Sequence, residues 1–249
     1  MPANYRFIHR GRYAEGTIST RWIESTRRIV PAVESAIDAA WETLRARPGV
    51  RLFDGKLCRF ESFRAEGDRL HIDLSETRYR LVAGTNFANP QFAAEYGTDV
   101  MANPLGVSCL LRTADDFLML GRRNHTVAYY PGRVHPFAGS MEVRPQLDVF
   151  EDARRELQEE LGLTAAQITA LTCLGLAEDA ALVHPELIFA AGTTLARPRV
   201  EAALDPEEHS VTWHCPATPE AATAALADAS LTPISCAALA AWAEDAASR

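Results

Sequence analysis

The alternation of apolar and polar positions predicts the regular elements of the chain. From Val30 to Leu44, apolar side chains recur at steps of three and four, which indicates an amphipathic helix. Pro48-Gly49 is predicted to end this helix. Arg69–Leu74 alternates with period two, and Lys56–Phe63 precedes it across a Glu66-Gly67-Asp68 turn. These two segments are therefore predicted to pair as a hairpin.

A second pattern, of strands around one helix, begins near residue 101. Short β-rich runs precede and follow a helix predicted from about Leu147 to Leu161, with Gly162 as its C-terminal cap. The strands are predicted at 105–111, 117–120, 168–176, 187–191 and 211–215. The alanine-rich tail from Pro219 to Ala247 is predicted to be helical.

This order of elements predicts an α+β fold, an α/β/α sandwich around a mixed sheet. Residues 1–100 are predicted to form an N-terminal helix-plus-hairpin extension, and residues 101–249 the main domain.

The acidic residues of the second helix lie on one face. At 100° per residue, Asp152, Glu156, Glu159 and Glu160 fall within an arc of about 100°. Five acids stand against two arginines from Glu151 to Glu160. Crowding like charges weakens a helix, so a compensating partner is expected, and a hard divalent cation with oxygen ligands fits this face. A solvated acidic surface is the ordinary alternative.

The segment from Arg155 to Leu163 resembles the second half of the Nudix box, R-E-L-x-E-E-x-G-L. The first half of the box departs from the family pattern. Leu147 and Met141 stand where that pattern has glutamate and glycine. Glu142 or Asp148 is expected to replace the missing glutamate.

The resemblance implies a metal-dependent hydrolase that cleaves a phosphoric anhydride bond. Glu156, Glu159 and Glu160 would bind Mg²⁺, for which Mn²⁺ is a possible substitute. The carbonyl of Ala138 or Gly139 would add a further oxygen ligand.

The resemblance also implies roles for residues around these ligands. Arg155 would hold the glutamates by ion pairing. A later carboxylate would contribute a further ligand or the general base, and Glu186 is the first choice because it opens a predicted strand after the box. Glu178 and Asp179 are the alternatives.

Scattered blocks between residues 40 and 190 are similar to the divergent Nudix branch that hydrolyses UDP-glucose and UDP-galactose to UMP and sugar 1-phosphate. The blocks are Trp41-Glu42-Thr43, Leu52-Phe53-Asp54, Tyr79-Arg80, Gly84-Thr85-Asn86, Asn103–Val107, Thr113–Asp116 and Arg122–Gly132. This likeness implies a UDP-sugar that is held partly by the N-terminal extension. The candidate contacts to uracil, ribose and phosphate are Phe53, Asp54, Tyr79, Thr85, Asn86, Arg122 and Arg123. A folded hairpin and a surface arginine pair are the structural alternatives.

Composition narrows the partners of the chain. The formal net charge of −8 argues against a nucleic-acid partner, which requires a basic surface. No apolar run approaches the roughly 20 residues that span a bilayer, and the N-terminus is not a secretory signal. The five cysteines lie far apart, which favours a reducing compartment. A cytoplasmic enzyme with a small-molecule substrate is expected, and the oligomeric state stays open.

Two further hypotheses remain open at this point. The chain could be a Nudix pyrophosphatase for ADP-ribose, a dinucleotide or coenzyme A, or a non-catalytic Nudix-fold module that binds a ligand. Among the histidines, His209 and His214 are predicted to be structural or solvent-exposed, and His184 to be a loop histidine.

Overall fold

The computed structural model of the protein describes residues 4–46, 53–127 and 129–248. Pro48-Gly49, predicted to end the first helix, and Leu52 lie outside the described residues. The strands are β1 (Tyr5–Tyr13), β2 (Ile18–Trp22), β3 (Lys56–Glu66), β4 (Arg69–Arg78), β5 (Gly106–Arg112), β6 (Phe117–Arg123), β7 (Val134–His135), β8 (Phe137–Ser140), β9 (Ile168–Asp179), β10 (His184–Thr193) and β11 (His209–Pro216).

The helices surround two sheets. They are α1 (Pro31–Arg45), α2 (Tyr79–Val82), α3 (Phe92–Tyr96), α4 (Val149–Leu161), α5 (Arg197–Glu201), α6 (Pro219–Ala225) and α7 (Pro233–Ala247), with a wide helical turn at Ala83–Phe87 and short 3₁₀ turns at Thr98–Val100 and Ala165–Gln167. Among the described residues, no helix is both long and apolar enough to cross a membrane.

An eight-stranded mixed sheet forms the centre of the fold. Its strands follow the order β1-β9-β10-β5-β6-β11, with β7 paired to β6 and β8 paired to β5. Apolar side chains of α4, such as Phe150 and Leu157, pack with one group of strand residues. Those of α7, such as Leu239 and Trp242, pack with another group. The predicted α/β/α sandwich around a mixed sheet is therefore confirmed.

The pairing of β5 positions the site. Along its first half β5 pairs with β8, and only at Leu111 and Arg112 does it pair with β6. On its other side β5 pairs with β10 in parallel, which sets Glu186 opposite Gly106. The ends of β5, β8 and β10 thus meet beside the helix α4.

The ends of α4 follow from two residues. Asp148 is the N-cap, and its carboxylate accepts hydrogen bonds from the backbone N–H groups of Phe150 and Glu151. Gly162 ends the helix with φ of 63°, a left-handed conformation that glycine adopts without a steric penalty. The predicted helix and its glycine cap are confirmed.

The N-terminal region forms the predicted helix and hairpin, with two additions. The pair β3–β4 is extended by β2, which lies parallel to β4. The strand β1 pairs antiparallel with β9 at the edge of the main sheet. The sequence analysis assigned neither β1 nor β2. The division into residues 1–100 and 101–249 stays a prediction, and β1 joins the main sheet across it.

Candidate active site

Two box glutamates are buried against β8. Glu156 lies beside Gly139, where a Cβ atom would stand 2.5 Å from the Oε2 atom of Glu156. A side chain at position 139 would therefore displace this carboxylate. Glu160 lies one helical turn further, and its Oε1 accepts a hydrogen bond of 3.0 Å from the backbone N–H of Ala138.

The second oxygen of Glu160 contacts a histidine. The Nε2 atom of His209 lies 2.5 Å from Glu160 Oε2, and both side chains are almost fully buried. His209 was predicted to be structural or solvent-exposed, and the structure excludes exposure.

Arg155 lies among the acids of α4. Its guanidinium is 2.7 Å from Asp152 Oδ1, 3.1 Å from Glu156 Oε1 and 3.8 Å from Glu159 Oε2. Glu159 itself points toward solvent, with 59% of its side chain exposed. Arg155 therefore orients Glu156 from one side and is itself fixed by the buried Asp152.

Neither proposed replacement for the missing glutamate contacts Arg155. Asp148 caps α4, and Glu142 is exposed and pairs with Arg144 at 3.4 Å. Asp152, rather than either of them, forms an ion pair with Arg155.

Glu186 is a third buried carboxylate. Its Oε2 accepts a hydrogen bond from the Ser108 hydroxyl, and its Oε1 lies 3.7 Å from His184 Nδ1. Opposite it stands Gly106, where a Cβ atom would lie 2.9 Å from Glu186 Cγ and 3.5 Å from the Gly139 carbonyl oxygen. The two glycines therefore leave room for Glu156 and Glu186 to reach the same part of the sheet edge.

These three carboxyl groups are desolvated, which disfavours their charged form. Burial raises the pKa of Glu156 to about 8, with Arg155 opposing the shift and the neighbouring acids adding to it. Burial also raises the pKa of Glu160, against the hydrogen bond from His209. The pKa of Glu186 is raised by burial to about 7. The acids thus lack sufficient positive charge from the protein alone.

Arg123 and Tyr129 form an aromatic and basic pair near these carboxyl groups. The Arg123 guanidinium stands 4.3 Å from the centre of the Tyr129 ring and donates from Nε to Tyr129 O. The same ring is within 5.7 Å of His135 and 6.2 Å of His184, centre to centre. Burial raises the pKa of Tyr129, and the charges of Glu186 and Glu160 add to the shift. This residue therefore lies within electrostatic reach of both carboxylates.

The oxygen atoms of this site are of the kind that binds a divalent cation. Within the described parts of the chain, no three His, Cys, Asp or Glu side chains already form a metal-binding group. The donors nevertheless suit a hard cation, because carboxylate and carbonyl oxygens are what Mg²⁺ prefers. The raised pKa values and the cradle at Gly139 point the same way, since a cation would offset the buried charge.

Four of the predicted substrate contacts instead contact other parts of the protein. They are Asp54, Tyr79, Thr85 and Asn86. Asp54 accepts from Arg78 Nε at 2.8 Å and from the backbone N–H of Arg80 at 2.9 Å. The ring of Tyr79 packs edge-on against Trp41, with 6.3 Å between the ring centres.

Thr85 and Asn86 are completely buried. The Thr85 hydroxyl donates to Leu81 O and accepts from Ala102 N, and Asn86 Nδ2 donates to Leu182 O and Val183 O. The roles of Asp54, Tyr79, Thr85 and Asn86 in substrate binding stay predictions.

The other three predicted contacts are placed differently. Phe53 is 84% exposed. Arg122 donates to Gly132 O at 2.9 Å, whereas the buried Arg123 forms no ion pair with a carboxylate of the described residues. Arg123 is close enough to Glu186 for its charge to act on that carboxyl group. Phe53 and Arg122, in contrast, form no hydrogen bond or ion pair with the described carboxyl groups of the site.

The alternatives to Glu186 are also located. Asp179 accepts from the Tyr130 hydroxyl at 2.7 Å, and Glu178 pairs with Arg6 at 2.6 Å. Glu186, which Ser108 holds by one oxygen, is the one of the three that stands opposite Gly106 near the Gly139 carbonyl.

Asp152 was predicted to lie on the acidic face of this helix, but its ion pair with Arg155 was not predicted, and His209 was given no role in this site. Asp152 stands three residues before Arg155, a spacing that places the two on one helix face and that could have identified the pair. No local signal could have linked His209 to Glu160, because 49 residues separate them along the chain.

Several curated proteins are similar to this chain, and no family model matches it. The human uridine diphosphate glucose pyrophosphatase NUDT22 is 32% identical over 187 residues, which are 61% of this chain and 60% of that protein. The bovine protein of the same name is 37% identical over 130 residues, 47% of this chain and 44% of its own length. Nudix hydrolase 9 of Arabidopsis thaliana is 21% identical over 196 residues, 64% of this chain and 63% of its own length.

Solved structures were matched as well. A mutT/nudix family protein from Listeria innocua matches with a TM-score of 0.43 and 21% identity, over 59% of this chain and 94% of that one. The NUDIX domain of Shewanella oneidensis NrtR, complexed with ADP ribose, matches with a TM-score of 0.42 and 16% identity, over 64% and 97%.

The matched segment spans about three fifths of the length of the human and plant relatives. Within that span the resemblance predicted from the sequence is confirmed: the chain is similar to proteins named as a Nudix hydrolase and as UDP-glucose pyrophosphatases.

Proposed function

We propose that the protein is a metal-dependent hydrolase of nucleoside diphosphate sugars. It would cleave UDP-glucose or UDP-galactose to UMP and sugar 1-phosphate. The observation that carries this proposal is the pair of buried carboxylates, Glu156 and Glu160, held against Ala138 and Gly139. The similarity to proteins named as UDP-glucose pyrophosphatases supports the substrate.

The carboxylates would hold the cation. Glu156, Glu159 and Glu160, with the carbonyl of Gly139, are the proposed ligands of Mg²⁺, or of Mn²⁺ in its place. When bound, such an ion neutralises phosphate charge and lowers the pKa of water. Arg155 keeps Glu156 oriented through the contact of 3.1 Å.

Glu186 is the proposed general base. A base works best when its pKa lies near the operating pH, and burial raises the pKa of Glu186 to about 7. Ser108 holds one of its oxygens, which leaves the other to accept a proton from the attacking water.

Arg123 is the proposed phosphate contact nearest the acids. It is buried and forms no ion pair with a described carboxylate, so its charge is free to meet an anionic group. Arg122 and the exposed Phe53 are proposed to act at the edge of the site, with the substrate's phosphate and its base respectively.

Residues 1–100 would contribute to binding of the nucleoside or the sugar. A groove of about 430 Å³ is lined by Arg59 and Glu61 of β3 and by Pro185, the neighbour of Glu186. Binding energy from this remote part would position the diphosphate over the acids.

The products follow from the bond that is broken. The water oxygen forms a new bond to one phosphorus while the bond from that phosphorus to the bridging oxygen breaks. The bridging oxygen leaves with the other phosphorus and takes up a proton. Both fragments are phosphomonoesters, UMP and sugar 1-phosphate, whichever phosphorus is attacked.

The proposal is tested with the intact protein and four substrates. UDP-glucose, UDP-galactose, ADP-glucose and ADP-ribose are supplied at equal concentration, with Mg²⁺ or with EDTA, and products are identified by ³¹P NMR. We expect cleavage only with Mg²⁺ and a preference for the uridine compounds of at least tenfold, about 1.4 kcal/mol.

The other outcomes separate the remaining hypotheses. Equal or faster cleavage of ADP-ribose would overturn the uridine assignment and leave the reaction class. Extending the panel to a dinucleotide and coenzyme A covers the remaining pyrophosphatase substrates. Binding of a nucleotide without any Mg²⁺-dependent turnover would identify a ligand-binding module.

A further inference from the structure

The side chain of His209 contacts one of the two carboxylate oxygens of Glu160. His209 begins β11, and its Nε2 atom faces Glu160 Oε2 at 2.5 Å. The exposed fractions of the two side chains are 1% and 6%. Among the residues that the structure describes, none forms a hydrogen bond with His209 Nδ1. The imidazole is thus fixed in space chiefly by this one polar contact and by packing.

The surrounding chain is built to admit this imidazole. On the neighbouring strand β6 stands Gly121, where any Cβ atom would collide with the His209 ring. The ring also packs edge-on against Phe137 of β8, with 5.6 Å between the centres. A glycine on one side and an aromatic ring on the other leave the imidazole a single place.

The backbone ties the same turn to the end of α4. The N–H of Asp205 donates to the carbonyl of Glu160 at 2.8 Å, and the N–H of His209 donates to the carbonyl of Asp205 at 3.1 Å. Glu160 therefore meets the turn at residues 205–209 twice, once through its backbone and once through its side chain.

We propose that His209 is a positioning residue that orients Glu160 for cation binding, a role that rests on the proposed function. The backbone N–H of Ala138 bonds to Glu160 Oε1, and His209 bonds to Glu160 Oε2. The two contacts together hold the Glu160 carboxylate in one orientation, with its remaining lone pairs available to a cation. Hydrogen bonds of this kind to a ligating carboxylate fix its orientation and affect metal affinity. His209 acts through Glu160 and touches neither substrate nor water in this role.

The test compares two amide replacements of similar polarity. In His209→Gln the side-chain amide reaches the place of Nε2, whereas in His209→Asn it is too short. The matched control is His214→Asn on the same strand, which contacts Arg197 rather than the acids of α4. Binding of Mn²⁺ to each purified full-length protein, without substrate, is measured by electron paramagnetic resonance.

We expect the asparagine variant to bind Mn²⁺ about 10- to 100-fold more weakly than the unaltered protein. The glutamine variant and the His214 control should stay within about threefold of it. In turnover, His209→Asn should raise the metal concentration needed for half-maximal rate, with kcat recovering at saturating metal. Equal Mn²⁺ affinity in the asparagine variant and the unaltered protein would overturn the positioning role alone.

A measurement on the unaltered protein covers the case in which a variant does not fold. In ¹⁵N-labelled protein with saturating Mg²⁺, the proposal requires a proton on His209 Nε2, donated to Glu160. An imidazole protonated on Nδ1 only would overturn it. If the unaltered protein binds no Mn²⁺ or Mg²⁺, the proposed function falls, and the positioning role with it.

Discussion

The carboxyl groups around β8 and the side chains of the wide turn at Ala83–Phe87 are both polar and both buried. They differ in how fully their polar atoms are bonded within the protein. At the turn, Asn86 Nδ2 donates to two backbone carbonyls, and the hydroxyl of Thr85 both donates and accepts. Around β8, Glu156 and Glu186 are also buried, and burial raises the pKa of both carboxyl groups.

The difference separates structural polar groups from reactive ones. A buried polar group that has all its partners stabilises one conformation and has little left to offer a ligand. A buried carboxylate that lacks positive charge keeps a cost in the free protein, and a ligand of opposite charge can relieve it. The turn therefore supports the site, because Asn86 fixes the backbone at Leu182 and Val183 just before Glu186.

The largest expected effect comes from removing the box carboxylates. We expect Glu159→Gln and Glu160→Gln each to lower turnover at least about 100-fold, about 2.7 kcal/mol, and the double variant to lower it further. Stability should hold or rise, because repulsion is relieved. Turnover of UDP-glucose and thermal unfolding of the metal-free proteins are measured together. If the double variant keeps its activity, Glu159 and Glu160 are not needed for turnover, and the carboxyl groups around β8 are structural like the side chains of the turn.

The second prediction concerns pH. Because the pKa of Glu156 rises from 4.5 to about 8 on folding, this side chain holds more protons in the metal-free folded protein than in the unfolded chain in that window. Its contribution to the free energy of unfolding should therefore fall as the pH rises from about 4.5 to about 8, by on the order of 2–4 kcal/mol.

Glu156→Gln is the matched variant for this measurement. The variant has no titrating group at position 156, so the part of the pH dependence due to Glu156 should disappear. In the unaltered protein, added Mg²⁺ should restore the stability that is lost above pH 7. Urea unfolding at each pH supplies the free energies. Identical pH profiles for the two proteins would show that the buried charge costs nothing.

The third prediction tests the opposite region. Asn86→Ala leaves two buried carbonyls without donors, so the free energy of unfolding should fall by about 2–3 kcal/mol. Urea unfolding gives the loss of stability, and steady-state kinetics gives KM. Unchanged stability with a raised KM for UDP-glucose would instead support the direct substrate contact predicted from the sequence.

The smallest effect on stability is expected at Phe53. Its ring is 84% exposed, so Phe53→Ala should change the free energy of unfolding by less than about 0.5 kcal/mol. If the ring stacks on the base, KM for UDP-glucose should rise at least about threefold with kcat unchanged. Equal KM values for the variant and the unaltered protein would exclude Phe53 from substrate binding.

The sequence predicted most of the fold because the relevant patterns are local. The amphipathic period predicted α1, and Gly162 predicted the end of α4. β1 was missed because its partner is β9, far along the chain, and its burial is only partial and irregular. Strand order likewise depends on long-range pairing that no local pattern encodes.

The candidate site shows the same division. The glutamates of α4 could be named from their spacing together with the resemblance to the Nudix box, and Glu186 from that resemblance and its place at the start of a predicted strand. Which polar residues are already bonded could not be known, since the partners of Asn86 lie nearly a hundred residues away at Leu182 and Val183. The contact between His209 and Glu160 depends on the same kind of long-range packing.

The central claim is that the buried carboxylates beside Gly139 hold a divalent cation. It is tested most directly by crystals grown with Mn²⁺ and an anomalous difference map at a wavelength where manganese scatters. The account predicts a peak within bonding distance of a carboxylate oxygen of Glu156 and of Glu160. A peak elsewhere, or no peak in crystals of protein whose activity requires the metal, would contradict it.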